Sequence, residues 1–456
     1  MKDKKITMIS DAGIVGAGGA GFPSHVKFAA SADIVIANGA ECEPLLECDR
    51  HLLFGFAEEV LQGMKEGMAL VGAQQGILAI KEKHEDLISH LTPFVDRVDG
   101  ILLKLLPDVY PMGDEQVLVH QVTARLVPPG EIPLVSGCVV SNVMTFYNIY
   151  EALRGIAVTN RNVTVNGLVN KPFTALVPIG TSFGQLIEMA GGYSSDNIRL
   201  VAGGPMTGFI VSESDVVTKT TGGILALSSN SHIVKEKEMS MESIHYQSKA
   251  ACFQCQDCTR VCPRWQLGSP LQPHLIMRAI NYNLPFQIDD GEDSDSSIKE
   301  SLNNDMAEIL KTAHYCCECG LCATVGCQTM RLSPRKVCSD LKKHVERPDK
   351  FVGDVKKQNI RLEDYQVPSS RLLLRYGLSE FGHTPFVKEP VNPMIVTLLM
   401  RQHIGIPSRP LVKVGESVIK GQLIGARSHD GLSAAVHASI DGTVTYVSPE
   451  KVVISR

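Results

Sequence analysis

The rhythm of apolar and polar positions changes several times along the chain. Over residues 1 to about 155, short apolar runs alternate with longer stretches of helical spacing. Ile34-Val-Ile-Ala37 predicts a short buried strand. Leu53, Phe56, Val60, Leu61, Met64 and Met68 recur at intervals of three and four, which predicts a helix from Arg50 to about Ala73. Gly76-Ile-Leu-Ala-Ile80 predicts the next strand, and Lys83–Leu91 the next helix, stopped before Pro93. Strands alternating with helices predict a parallel α/β sheet. From about 158 to 230 the texture shifts. Val163–Val169 alternates as a strand, and Ser182–Ala190 predicts a short helix ahead of Gly191-Gly192, together a small α+β module. Residues 245–345 place helical stretches around clustered cysteines. Pro348, Pro368, Pro385 and Pro390 mark residues 346–390 as a connection. From Pro393 onward short strands and turns dominate, as in Leu411–Gly425 and Val436–Val444.

The chain has 456 residues, too many for one core at roughly 100–200 residues per domain, so three or four domains are expected. Hydrophobic residues make up 44% and charged residues 20%, the balance of a soluble globular protein. The net charge of −5 offers no basic footprint for nucleic acid. Ile6–Ile9 is too short for the apolar part of a signal peptide. The longest uncharged window, Ile132–Tyr150, contains Pro133, Ser136, Gly137, Ser141, Asn142 and Asn148 and makes a poor membrane span. These features predict a cytosolic chain with no membrane span and no nucleic-acid partner. Asp289–Ser297 is an acidic, polar insertion, read as a mobile loop.

Chemistry enters with the cysteines. There are thirteen, and nine fall between Cys252 and Cys327, a clustering that in a long cytosolic chain points to metal and not to disulfides. Cys252-x2-Cys255-x2-Cys258-x3-Cys262-Pro263 matches the bacterial ferredoxin run. Cys316-x2-Cys319-x2-Cys322-x4-Cys327 is a second such run, one residue longer before its last cysteine and with Gln328 where proline is usual. An all-cysteine zinc site instead shows two separated C-x2-C knuckles. In two-cluster ferredoxins the fourth cysteine of a run reaches the other cluster. Crossed ligation of two [4Fe–4S] clusters is therefore expected: Cys252, Cys255, Cys258 and Cys327 on one, and Cys316, Cys319, Cys322 and Cys262 on the other. Cys317 is left over, and Cys42, Cys48, Cys138 and Cys338 are read as packing residues.

Near the amino terminus, Gly13-Ile-Val-Gly16-Ala-Gly18-Gly19-Ala-Gly21-Phe22-Pro23 is rich enough in glycine for backbone N–H groups to approach a phosphate or flavin ring. It lacks the preceding strand of a dinucleotide fingerprint, and a flexible loop is the plain alternative. Lys27 follows, either a phosphate partner or a solvated side chain. Asn38-Gly-Ala-Glu41-Cys-Glu43-Pro44 sits at the carboxyl end of the first predicted strand, where α/β folds bind ligands. Tyr110, Asp114 and Glu115 form a further acidic loop, and Asn142 ends another apolar run.

Taken together, G-x-x-G-x-G-G-A-G-F-P, Lys27 and N-x-x-E-x-E-P resemble the flavin- and NADH-binding subunit of respiratory complex I. Joined to two ferredoxin motifs, and with Gly203-Gly-Pro-Met206 and Lys219-x-Thr221-x-Gly223, they resemble RnfC electron-transport subunits. Asn38–Leu46, Arg401-Gln-His-Ile-Gly405 and Val436–Gly442 resemble the PduS-type corrin reductases of propanediol-utilisation microcompartments, as does a barrel-sandwich at the C-terminal end, which RnfC carries at its N-terminus. The resemblance implies a multidomain α/β and α+β protein. Its parts would be a complex I flavoprotein-like Rossmann-type FMN/NADH domain (1–157), an SLBB β-grasp module (158–235), a ferredoxin-like two-cluster helical domain (240–345), a linker (346–392) and a lipoyl-like barrel-sandwich (393–456). It places FMN on Gly16, Gly18, Gly19, Lys27, Asn38, Tyr110, Asp114 and Asn142, and NADH near Phe22, Glu43 and Glu115, with Gly21 and Glu41 also among the cofactor-binding residues. The complex I pattern has Asp where this chain has Ala40.

The implied activity passes electrons from NADH through FMN and two clusters to cob(III)alamin or cob(II)alamin. The cob(I)alamin formed would serve an adenosyltransferase in a bacterial microcompartment, with a shell protein as a further partner. The corrin acceptor follows from the resemblance alone, since the chain has no D-x-H-x-x-G corrin motif. An RnfC-like subunit serving ferredoxin or a membrane complex, and a non-enzymatic electron-carrier scaffold, are the alternatives.

Overall fold

The apolar run at Ile34 becomes the central strand of a parallel sheet because every residue from Ile34 to Ala37 is buried and apolar, as a strand covered on both faces requires. The computed structural model describes residues 2–281, 304–358 and 365–456, and the acidic insertion 289–297 lies outside them. Strands β1 (Ile34–Gly39), β2 (Gln75–Lys81) and β3 (Ile101–Leu106) precede a two-residue strand, β4 (Val109–Tyr110), and β5 (Cys138–Asn142). The sheet order is β3-β2-β1-β5, all parallel. The chain thus builds outward from β1 in one direction and returns to its other side with β5.

Helices α1 (Lys2–Asp11), α2 (Ser24–Ala29), α3 (Cys48–Gly55), α4 (Ala57–Val71) and α5 (Glu85–Val95) accompany the first three strands, α6 (Glu115–Thr123) follows β4, and α7 (Val143–Ala152) follows β5. The single helix predicted from Arg50 to Ala73 is broken at Phe56, whose φ of −142° and ψ of 38° leave the helical region. The helix predicted to stop before Pro93 runs through it to Val95. Proline there removes one N–H near a helix end, where few bonds remain to be made.

Two compact units result. The first comprises Met1–Asp108, Gly137–Val234 and Ser369–Arg456; the second comprises Val109–Ser136 and Lys235–Pro368. In the first, β6 (Asn160–Gly167), β7 (Phe173–Pro178), α8 (Phe183–Met189), β8 (Ile198–Ala202), β9 (Phe209–Val211) and β10 (Gly223–Ser228) form the α+β module. Its sheet runs Phe386–Val387, β7, β6, β10, β8, β9 around a core of Val163, Val165, Phe173, Leu186, Leu200 and Ile224. Ser182 caps α8 reciprocally with Gln185. The barrel-sandwich pairs Ile395–Leu399, Lys451–Ser455, Gly442–Val447 and Ser417–Val418 in one sheet and Arg409–Pro410, Leu423–Ala426 and Val436–His437 in another. The second unit is mostly helical, packed around Ile244, Leu271, Ile276, Leu310, Val337 and Leu341. Among the described residues no helix is long and apolar enough to cross a membrane.

Helices α4 and α7 approach backbone to backbone through Gly63, where a Cβ would lie 1.9 Å from the Phe146 carbonyl oxygen. At Gly55 a Cβ would meet nothing within 4 Å. Gly63→Ala is expected to destabilise the protein by about 2–3 kcal/mol through overpacking, and Gly55→Ala to leave stability unchanged or raise it. Thermal unfolding of both variants beside the parent checks this; equal midpoints for the two would refute the packing argument.

Candidate functional site

The sheet order reverses between β1 and β5, and at such a switch point the loops leaving adjacent strands part to open a crevice. Asn38, next to last in β1, and Asn142, last in β5, stand opposite each other in register. Asn142 also caps α7, its Oδ1 accepting from Met144 N at 2.9 Å, while its Nδ2 donates to Asp49 Oδ2 at 2.7 Å. The glycine-rich segment closes into a loop over this end of the sheet. Gly16 N donates to Phe22 O at 2.9 Å, and Val15 bridges Pro23 at the base. Ala17 N donates to Thr145 Oγ1 in the first turn of α7, and the buried Arg161 donates to Ala17 O, both at 3.1 Å. The tip, Gly18 to Ala20, is exposed. A Cβ at Gly18 would press on Asn142 at 3.1 Å, whereas at Gly19 it would meet nothing within 4 Å. A flat ring and its phosphate fit such a side-chain-free cradle at the head of two strands and a helix N-terminus.

The other residues expected here have definite partners. Lys27 Nζ donates to Val140 O at 2.7 Å. Glu41, at a φ of 39°, accepts from Asp49 N and Arg50 N and so caps α3. Glu43 accepts from Met206 N and Thr207 N, both at 2.9 Å, fastening the Gly203-Gly-Pro-Met206 turn. Phe22 is half-buried at the foot of the loop. Tyr110, Asp114 and Glu115 belong to the second unit. There Tyr110 Oη donates to Cys319 O at 2.7 Å, and Asp114 accepts from Arg264 and caps α6, which Glu115 opens.

Glu41, Cys48 and Asp49 lie with their polar atoms within 4.8 Å of one another. Burial, and then the neighbouring Asp49, push the Glu41 carboxyl up to about 8. Burial likewise raises Asp49, opposed by Arg161 and by the Asn142 amide. This paired acid beneath the crevice is not legible as a pair in the sequence, because only the turn from β1 into α3 folds Asp49 back onto Glu41. The Lys219 motif also finds its place: its buried Nζ donates to Gly13 O and Ala435 O, both at 2.6 Å. It ties the base of the glycine loop to the barrel-sandwich.

In the second unit, Cys252, Cys255, Cys258 and Cys327 line one open cavity. Cys262, Cys316, Cys319 and Cys322 line a second, smaller one, joined by Cys317 and Cys338. The two cysteine loops share a backbone form, with positive φ at Gln254 and Gln256 in the first and at Glu318 and Gly320 in the second. Those turns aim successive sulfurs inward. The extra residue before Cys327 is absorbed by a π-helical turn over Cys322–Gly326, closed by Cys327 N to Cys322 O at 2.9 Å. Gly326 is required there, since a Cβ would lie 2.5 Å from Cys258 Cα. Burial pushes the Cys258 thiol up to about 12, with Cys327, Cys255 and Cys252 adding to the effect. Burial also raises Cys262 and Cys322, and neighbouring thiols add to both. Such crowded thiols ionise for a cationic metal centre far more readily than for water, so the donor sets fit iron–sulfur clusters.

Because Glu41 is raised, the folded chain holds a proton that the unfolded chain loses between about pH 4.5 and about 8. Stability from this group therefore falls as pH rises through that window. Glu41→Gln is expected to flatten the slope in urea-unfolding midpoints measured across it; an unchanged slope counts against a protonated Glu41.

Comparison with known proteins places these parts. Residues 9–151 match the Nuo51 FMN-binding domain, 162–210 the SLBB domain, 251–331 a 4Fe-4S dicluster domain and 381–455 the RnfC barrel sandwich hybrid domain. One component of the Na(+)-translocating ferredoxin:NAD(+) oxidoreductase complex of Acetobacterium woodii is 36% identical over 263 residues, covering 56% of this chain and 57% of that protein. Cobalamin reductase PduS of Citrobacter freundii is 37% identical over 449 residues, covering 98% of this chain and 95% of that protein, and its Salmonella typhimurium counterpart gives the same figures. The cofactors are FMN and 4Fe-4S clusters, and the protein is an oxidoreductase. On identity sustained across all its domains, this chain belongs to the PduS cobalamin reductase family.

Proposed function

We propose that this protein is an NADH-dependent reductase that delivers electrons to a corrinoid. It would take cob(III)alamin and cob(II)alamin toward cob(I)alamin for an adenosyltransferase in a propanediol-utilisation type microcompartment. The observation that carries the reading is one chain holding both a glycine cradle at a switch-point crevice and two separate thiol sets, in a family whose named members are cobalamin reductases. When bound, FMN exchanges a hydride's electron pair for single electrons, and the clusters relay them.

The chain's own residues position and insulate. Gly16, Gly18, Gly19 and Gly21 shape the cradle, Asn38 and Asn142 present amides at its floor, and Lys27 flanks it. Phe22 borders the loop where a nicotinamide would stack. Glu41 and Glu43 fix the acidic turn beneath and beside it. The flavin assignment rests on these first-unit residues; Tyr110, Asp114 and Glu115 serve the cysteine-bearing unit through the bonds described above. Cys252, Cys255, Cys258 and Cys327 are assigned to one cluster, and Cys262, Cys316, Cys319 and Cys322 to the other.

Two experiments test this. In oxygen-free, reconstituted protein, NADH should bleach both flavin and cluster absorbance, and added cob(III)alamin should restore the colour as reduced cobalamin forms. NADH oxidation with an artificial dye but none with cobalamin would refute the corrinoid acceptor. For the ligands, Cys262→Ala and Cys319→Ala should abolish the same paramagnetic cluster signal and about half the iron. Cys327→Ala and Cys252→Ala should abolish the other. Loss of one signal by Cys252→Ala and Cys262→Ala together would show uncrossed ligation.

A further inference from the structure

The second cysteine group is accompanied by a cation that the electron-transfer reading leaves unused. Arg264 lies two residues beyond Cys262, in the short helix Pro263–Gln266, and lines the same small cavity as Cys262, Cys316, Cys317, Cys319 and Cys322. Its side chain is 13% exposed, and its Nη2 donates to Asp114 Oδ2 at 2.7 Å. Its buried Nε has no hydrogen-bond partner among the described residues. Asp114 cannot drift toward that Nε, because its other oxygen accepts from Gln116 N and Val117 N at the start of α6. The guanidinium is therefore held by Asp114 on one edge and by a hydrogen bond to Cys317, the thiol outside the assigned ligand sets, with Cys262 also close enough to act on its charge, and its Nε stays unsatisfied.

A largely buried arginine whose partners are one carboxylate and one thiol, with an N–H to spare, is a poor arrangement unless further negative charge sits beside it. It remains charged throughout the accessible pH range. Four cysteine thiolates around a cluster carry that negative charge, and one-electron reduction adds to it. The other thiol set has no counterpart among the described residues that line it with a buried guanidinium. Its sulfur contacts include neutral donors, Gln254 Nε2 to Cys252 Sγ at 3.1 Å and the Thr259 side chain to Cys258, and Cys255 is exposed to solvent. Low-dielectric surroundings strengthen the interaction of a fixed charge with the group it faces.

We infer that Arg264, oriented by Asp114, sets the reduction potential of the cluster assigned to Cys262, Cys316, Cys319 and Cys322, favouring its reduced form. Arg264 is a positioning and electrostatic residue, not a ligand. The inference rests on the ligand assignment proposed above.

The test is a potentiometric titration of the reconstituted full-length protein, followed by paramagnetic resonance and by iron and sulfide analysis. At a fixed poise, Arg264→Met should lower the reduced fraction of that one cluster about tenfold, a shift of about 59 mV for one electron. Asp114→Asn should move it the opposite way, since it keeps the helix cap and removes the compensating charge. Arg264→Lys should recover part of the parent potential. Iron content and the signal of the other cluster should not change. A signal that stays put in Arg264→Met, or both clusters moving together, overturns the inference alone. Should the parent protein lack a cluster signal that Cys262→Ala and Cys319→Ala both remove, the ligand assignment and this inference fall together.

Discussion

Thiol packed against thiol is the constraint from which the second unit is built. Cysteine sulfurs crowded into a largely buried space resist ionisation, each opposing the charge of the next. Without a cation the sulfurs themselves contribute little cohesion, and the arrangement leans on apolar packing and on bonds such as Arg264 to Asp114 and Tyr110 to Cys319. With iron present, and on the crossed ligation proposed above, the same crowding would become a set of bonds between two segments more than fifty residues apart in sequence. Metal binding and folding are then one free-energy change, as in other small metal-organised domains. The π-turn before Cys327 and the glycine at 326 are local consequences. Both let the second run reach the first without displacing Cys258.

The first unit answers a different constraint. A parallel sheet brings its loops to one end, and the reversal of strand order leaves a gap there that backbone alone must line. Glycine supplies the lining, but a glycine-rich loop has high conformational entropy to lose. The structure offsets that cost by fastening the loop at both ends and in the middle: Val15 to Pro23, Ala17 to Thr145 and Arg161, and Gly13 to Lys219. Only the tip at Gly18 and Gly19 remains bare. The carboxylates of Asn38-Gly-Ala-Glu41-Cys-Glu43 serve the same end, capping α3 and pinning the turn at Met206.

Much of this is legible in the sequence, for physical reasons. Ile34–Ala37 and Gly76–Ile80 read as strands because strands buried on both faces are continuous apolar runs, and both run a residue or two longer than expected, as ends usually do. The two cysteine runs read clearly because cluster ligation fixes spacing within a single loop. What does not read depends on residues distant in sequence. Asp114 reads as a flavin contact through the family resemblance; its bond to Arg264 does not read, because that partner stands 150 residues on and carries no motif. Cys338 reads as packing, and it is fully buried, but only the return of the helix Pro334–His344 brings it to the wall of the second thiol group. Phe56 ends a helix that its periodicity would continue, since spacing records which face is buried and not where the backbone turns.

The order of domains along the chain bears on how such a protein keeps its site while its parts are rearranged. The barrel sandwich hybrid match lies at residues 381–455, far in sequence from the FMN-binding match at 9–151. Here the barrel-sandwich touches the glycine loop directly: Gly21 has no room for a Cβ beside His403, Ile404 N donates to Ala20 O, and Lys219 joins Gly13 to Ala435. Those contacts fix where the module must sit, not where in the sequence it must be encoded. Loop-closure entropy grows only with the logarithm of loop length, so moving a module from one end of a chain to the other changes the cost of bringing it home by little compared with the contacts it makes there. Domain order is then weakly constrained by chain connectivity, whereas losing the staple at Lys219 would remove two hydrogen bonds that hold the module in place. The role of Lys219 thus depends on where the barrel-sandwich docks, not on how far along the chain Ala435 lies from Gly13.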